Sequence, residues 1–461
     1  MPILPRSPPR RGLSPFPLPF VCQSCQRSQR QFSVTSRRAS AAPSTPTPPA
    51  AAAAAAPPPP PLSGYALLTS RRLISLAGPD APRFLHGLIT QPVLDEPGSG
   101  AARHRHNAPT ASRASLAAGA PGFYSGFLNA TGRVLHDVFV YRDTLGISAS
   151  ADAGHAFVVE VDAAQVHTLA QHIKRYKLRS KLEFRVLDEG EVGAWQVWDG
   201  SSSSPSLPEQ SPLSRLKDCI VLPDTRAPGM GYRVLRRGGG ATADDNGLDL
   251  DLARSDDTAY RVRRYLLGVA EGQAEILREQ ALPLESNMDV MGGIDFRKGC
   301  YVGQELTIRT RHRGVVRKRI LPCLLYPSSS PISSLPEKLE YAPYIGAGEE
   351  NKGSGEGGEK KQHRSAADVP SNLSISPDRA KGRSVGTWLR GVGNLGLAVC
   401  RLPSMTDVEL PGETAAKAPF DPARDEFAVK WDTDEEGYGG QAVKIKAFVP
   451  DWMRERLRED K

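Results

Sequence analysis

The stretch GIDFRKGCYVGQELTIRTRHRGVVRKR, Gly293 to Arg319, sets one thiol, Cys300, among glycine, charged and amide side chains. Such surroundings favour the thiolate. Arg297 and Lys298 bring positive charge, and a short helical turn predicted from Cys300 through Glu305 aims its N-terminal dipole at the sulfur. The expected chemistry is that of a reactive or metal-binding sulfur. One thiol is one ligand, so a metal held by Cys300 takes its other ligands from a partner. The opposing reading is a small buried hydrophobe, and Cys219, Cys323 and Cys400 take it because each lies in apolar, strand-like sequence. Cys22 and Cys25 form a CxxC with no second pair at zinc-finger spacing. Free thiols so far apart suit a reducing compartment.

Downstream, Arg309, Arg311 and Arg313 alternate with Ile308, Thr310 and His312, a period of two that predicts a strand with its arginines on one face. That face is either a clamp for carboxylates or phosphates or simply solvated. No aromatic residues interleave for base stacking, which argues against nucleic acid.

The elements that must hold these groups follow from pattern. ALPLESNMDVMGGIDFRKGC, ending at Cys300, carries Pro283, Gly292 and Gly293 and reads as a loop leading into a turn at Lys298-Gly299. GFLNATGRVLHDVFVYRD predicts two strands about a turn at Thr131-Gly132. Val166, Leu169, Ile173 and Tyr176 recur at helical spacing behind Asp162 as a cap, and Leu182, Phe184 and Val186 alternate as a strand. The tail, GTWLRGVGNLGLAVCRL, EFAVKWD and AVKIKAFVP, is strand-rich with glycine turns, as in a small β-barrel. The fold class is α+β.

Length and charge bound the rest. Of 461 residues, 40 are proline and 43 glycine, and these cluster, leaving about 300–350 residues of globular material. The formal net charge of +8 is local: of 59 basic residues, 7 arginines fall in 1–62, which contains no acid, and the remainder is nearly neutral against 51 acids. An arginine- and serine-rich, acid-free segment with no apolar h-region is the composition of an organelle transit peptide. RQFS, Arg30 to Ser33, resembles a mitochondrial processing pattern. The segments are then a transit peptide over 1–38, a Pro/Ala-rich linker over 39–61 and a core over 62–326. A disordered insertion over 327–383 and a C-terminal β-barrel domain over 384–461 follow. No apolar run is long enough to span a membrane.

KGCYVGQE, Lys298 to Glu305, resembles the signature of the YgfZ-type folate-binding-like proteins, relatives of the aminomethyltransferase of the glycine cleavage system. Its companions occur in that family's order: RFLHGLIT from Arg83, GFLNATGRVLHDVFVY from Gly126, LPDTRAPGMGYRVL from Leu222, YRVRRYLLGVAEG from Tyr260, LPLESNMD from Leu282 and RHRGVVRKRILP from Arg311. The resemblance implies a three-part cloverleaf around a pterin-sized central channel, closed by the barrel, with Cys300 as the functional thiol. It implies that Lys298, Gly299, Tyr301, Val302, Gly303, Gln304 and Glu305 shape the loop of Cys300. It also implies that Asn129, Asp137, Glu285, Asn287 and Arg311 face the channel.

For the organellar members the resemblance implies a matrix assembly factor that matures [4Fe-4S] proteins of the aconitase and lipoate-synthase type with A-type scaffold proteins. Cys300 would then be a shared cluster ligand. The alternative is a folate-dependent one-carbon transferase using tetrahydrofolate or another pterin. The chain departs from the transferase where two adjacent acids become His136-Asp137, and where a GYTGE-like stretch becomes GMGYRVL. Those departures remove the expected acid and pterin anchor.

Overall fold

The structure, a computed structural model of the whole chain, describes residues 57–94, 120–148, 153–200, 212–238, 247–346, 364–378, 383–410, 420–431 and 441–459. The expected transit peptide, the CxxC and the linker up to residue 56 lie outside the described residues.

The first part of the chain forms two sheets from β1 (Ser63–Leu67), β2 (Arg71–Ala77), β3 (Gly122–Leu128), β4 (Val134–Arg142), β5 (Ala156–Asp162), β6 (Glu183–Val186), β7 (Val192–Asp199), β8 (Cys219–Pro223), β9 (Tyr232–Arg237) and β10 (Ala253–Ser255). The helices among and after them are α1 (Ala81–Leu88), α2 (Val166–Lys177), α3 (Asp257–Leu267) and α4 (Gln304–Arg313). One sheet has the order β3-β4-β5-β2-β6 and the other β10-β1-β7-β9-β8. The expected hairpin is β3–β4, turned by Asn129, whose Oδ1 accepts from the Thr131 and Arg133 amides at 3.0 Å each. Both strands are buried on both faces, so their sequence is nearly continuously apolar rather than alternating. In α2, Val166, Leu169 and Ile173 face the core, as their spacing predicts. Asp162 caps the 3-10 turn that precedes α2 rather than the helix itself.

The second part is a six-stranded barrel of β11 (Lys318–Tyr326), β12 (Ser374–Pro377), β13 (Gly386–Val392), β14 (Leu395–Arg401), β15 (Phe427–Trp431) and β16 (Gln441–Ala447). It closes in the order β11-β14-β13-β12-β15-β16, which leaves no free sheet edge. The short α5 (Leu402–Met405) and α6 (Asp451–Glu459) complete the chain. Cys323 and Cys400 are fully buried in the barrel with sulfurs 3.9 Å apart, while Cys219 is half-buried.

Three sequence expectations are corrected. The barrel begins at β11, inside the segment assigned to the core. Within 327–383, expected as a disordered insertion, β12 pairs with β13 and β15, and Ile375 and Ala366 are fully buried. SISP is too short to show a strand period, and its ladder partners are remote in sequence, so only tertiary pairing defines it. The predicted strand with three arginines on one face is the helix α4. Residues two apart in a helix point about 200° apart, which separates Arg311 from Arg309 and Arg313. Among the described residues no helix is long and apolar enough to cross a membrane.

Candidate functional site

The loop of Cys300 is staked from both sides. Upstream, the segment after α1 clasps the glycine pair: Thr90 Oγ1 donates to the Gly293 carbonyl at 2.5 Å and Gln91 Nε2 to that of Gly292 at 2.6 Å. Lys298 Nζ then reaches the carbonyls of His86 and Ile89, each at 2.6 Å, at the C-terminal end of α1. An ammonium on those carbonyls is a favourable end for the helix dipole. It also lies 4.8 Å from the centre of the Tyr301 ring, which is buried.

Downstream, Val302 N donates to the Gly87 carbonyl at 3.1 Å and Gln304 Oε1 accepts from Tyr301 N at 3.3 Å. Gly303 has φ +81°, and a Cβ there would meet the Asn129 carbonyl oxygen at 2.2 Å. The β3–β4 turn is thereby seated on the start of α4, with Gly132 against Leu306. Between these anchors Cys300 is exposed, and it is the one exposed thiol among the described residues.

One expectation about the thiol is corrected. α4 starts at Gln304 with Gly303 as its N-cap, so Cys300 precedes the helix instead of opening it. Lys298 is turned onto the end of α1. The residues from Cys300 to Gly303 are held by tertiary contacts to α1 and to the hairpin, which no local propensity encodes.

The five residues expected at a channel do not converge. Asn129 caps the hairpin turn. Asp137 is fully buried, accepting from the Gly272 amide at 3.1 Å and from Arg71 at 3.3 Å. Asn287, at φ +62°, donates to the Ile320 carbonyl at 2.6 Å and accepts from Arg319 at 3.2 Å. Glu285 is half-buried in a 270 Å³ cleft between α4 and β11, with Thr310 and Lys318. Burial pushes its carboxyl up against the pull of Lys318 and Arg133. Arg311 lies in an adjoining 690 Å³ cleft, over the Phe296 ring at 5.0 Å. The two clefts share Leu284, Thr310, Val315 and Val316, so Glu285 and Arg311 border one groove along α4. The polar side-chain atoms of Asp137 and Asn287 are engaged within the protein, while Glu285 and Arg311 border open space.

Sequence reasoning missed a buried charge network at the junction of the two sheets. Arg233 lies 3.3 Å from Glu160 and 2.6 Å from Glu271. Arg226 lies 2.7 Å from both Glu271 and Asp224, and Arg71 bridges Glu160 to Asp137 at 2.9 and 3.3 Å. Tyr260 and Tyr141 donate into it at 2.8 and 2.6 Å. The signal was present: Arg233 and Glu271 interrupt the apolar runs GYRVL and GVAEG.

Strand alternation puts His136 on the opposite face of β4 from Asp137. It is fully buried, and neither ring nitrogen has a hydrogen-bond partner among the described residues. Burial first, then Arg278, His172 and Arg71, push its pKa down to about 3. The folded state therefore keeps the imidazole neutral while the unfolded chain takes up a proton below about pH 6.5. Stability is complete above that pH and falls as pH drops from there towards 3. The slope reaches about 1.4 kcal/mol per pH unit. His136→Phe is expected to flatten this fall. Urea unfolding at about pH 7.5 and 5.5 checks it, with the wild type losing roughly 1 kcal/mol more than the variant.

Comparison with known proteins gives a consistent picture. Residues 317–455 match the family described as CAF17, C-terminal beta-barrel domain. The mitochondrial iron-sulfur cluster assembly factor IBA57 homolog of Pyricularia oryzae is 48% identical over 401 residues, covering 86% of this chain and 86% of that protein. The homolog of the same description from Chaetomium globosum is 46% identical over 407 residues, covering 86% and 84%. That of Neurospora crassa is 42% identical over 455 residues, covering 95% and 89%. Among solved structures, the glycine cleavage system aminomethyltransferase T from Bartonella henselae superposes with a TM-score of 0.50 over 86% of this chain and 87% of that one. At 11% identity this likeness shows the fold alone.

Proposed function

The chain belongs to the IBA57 family of mitochondrial iron–sulfur cluster assembly factors, and from that premise we propose that it acts in the mitochondrial matrix to mature [4Fe-4S] proteins, with Cys300 as its working thiol. The observation that carries the role of Cys300 is its exposure on a loop pinned at Lys298, Tyr301 and Gly303, while the other described cysteines are buried or half-buried. A thiol so placed reaches a group held on another protein's surface without rearrangement of its own backbone.

The cluster is cargo here. Among the described residues no group of three or more His, Cys, Asp or Glu converges as a metal site, and one thiolate from Cys300 supplies a single ligand. The proton leaves the thiol on ligation, and the remaining ligands come from an A-type scaffold protein. Where two [2Fe-2S] units fuse into one [4Fe-4S], a separate reductant supplies the two electrons the fusion consumes.

Folate-dependent one-carbon transfer is the weaker reading. The relatives are described as assembly factors, and the acid at 137 is bound to Arg71 and Gly272 instead of bordering open space. The experiment is visible absorption of the purified protein mixed with a [2Fe-2S]-loaded scaffold. Cluster sharing is expected to change the sulfur-to-iron charge-transfer envelope with the wild type and to leave it unchanged with Cys300→Ser. Identical spectra for both would overturn the assignment.

A further inference from the structure

At the end of α2 the chain makes a turn that its residue type resists. Ser180 N donates to the Lys177 carbonyl at 2.8 Å, closing a β-turn whose first central residue is Leu178 at φ 43°, ψ −107°. Those dihedrals are near a type II′ turn, where glycine fits without strain and leucine does not. The strained leucine packs on nothing: it is 86% exposed, the most exposed of the large apolar residues described. Strain that holds an apolar side chain out in water brings no gain to folding, so its use lies outside the folded chain.

Around Leu178 the charge is predominantly positive. Lys174, Arg175, Lys177, Arg179 and Lys181 fall within one eight-residue stretch that has no acid, and Arg83 of α1 borders the same open concavity of 830 Å³. None of these six cations forms an ion pair with a described residue. The lining carboxylate, Asp80, accepts the backbone amide of Lys181 at 2.6 Å. Phe84 and Tyr176, both half-buried, line the concavity beside Leu178.

We propose that this turn docks the protein peripherally on an anionic phospholipid bilayer, with Leu178 entering the headgroup–acyl boundary and the surrounding lysines and arginines on the lipid phosphates. Unpaired cations ringing a protruding apolar tip are the pattern of interfacial attachment. The exposed tip is aliphatic and the rings beside it, Phe84 and Tyr176, are half-buried, which disfavours RNA as the occupant. The concavity beside Leu178 is open to solvent. α1 joins this face to the site: its first turn carries Arg83 and Phe84, and its last holds Lys298. The inference does not depend on the role given to Cys300.

The test is co-sedimentation of the full chain with phosphatidylcholine vesicles containing cardiolipin, against vesicles of phosphatidylcholine alone. The arginines of 1–38 are common to every chain compared, so differences among variants read the turn. Binding is expected with the anionic vesicles and is weakened by salt. Leu178→Asp is expected to weaken it at least ten-fold or so. The triple variant Lys174→Glu/Lys177→Glu/Arg179→Glu is expected to weaken it roughly a hundred-fold. Leu178→Gly separates binding from folding: it relieves the turn, so the thermal midpoint holds or rises while vesicle binding falls. Variants that bind like the wild type overturn the proposal. So does tighter binding of soluble polyglutamate than of vesicles through the same residues, which would assign the face to an acidic protein.

Discussion

A strain whose sole copy of this protein carries Cys300→Ser is expected to lose aconitase activity and protein lipoylation while keeping its [2Fe-2S] enzymes. Serine nearly matches the volume of the thiol, and the position is exposed, so the fold has no reason to change. The hydroxyl stays protonated at neutral pH and is a poor ligand for iron, so what disappears is the ligand alone. The loss is expected to approach that of a deletion, because the described residues offer no second exposed thiol to substitute. Cys400→Ser behaves differently: it puts a hydroxyl into the barrel core beside Cys323 and is expected to cost about 1–3 kcal/mol of stability. Aconitase activity and lipoylation at matched protein abundance distinguish the two. If both survive in the Cys300 strain, the thiol is not the working group.

The second large effect lies in the junction network. Glu271 takes charge-assisted bonds from Arg226 at 2.7 Å and Arg233 at 2.6 Å, with Tyr260 at 2.8 Å. Glu271→Ala leaves two buried guanidinium groups short of a counter-charge and is expected to destabilise the fold by about 3–5 kcal/mol, the usual cost of breaking a buried pair from one side. Glu191→Ala, which removes the exposed pair with Arg185, is expected to leave the unfolding midpoint near the wild-type value. Guanidinium chloride unfolding compares them. Burial alone would raise the pKa of Glu271, but Arg233 and Arg226, then Arg71 and Arg264, hold it well below the usual carboxylate range. Its contribution is therefore present above the unfolded carboxylate pKa of about 4.3 and is lost as pH falls through the folded value. An acid-unfolding limb that is unchanged in the variant would show that the network does not carry this linkage.

The family was readable from its motif, and the main local elements from residue types. KGCYVGQE identifies its loop because glycine is obligatory at 303, where φ is positive and a backbone oxygen crowds the missing Cβ. The β3–β4 hairpin follows from two nearly continuous apolar runs about a turn, and α2 from a helical period of apolar residues, both contained in a local window. What the tertiary structure decided is everything set by partners distant in sequence. Arg309 to Arg313 have too few apolar residues for a period to choose between strand and helix; in the fold they continue α4, whose start is seated on the β3–β4 turn. Lys298 looked like a charge for the thiol, yet it bonds to carbonyls at the end of α1, more than two hundred residues away. β12 exists because β13 and β15 flank it. Asp137, Glu160, Arg226, Arg233 and Glu271 read singly as polar interruptions of apolar runs. Only the meeting of two sheets lets each meet its counter-charge, because a buried ion is tolerable when its partner is already in place.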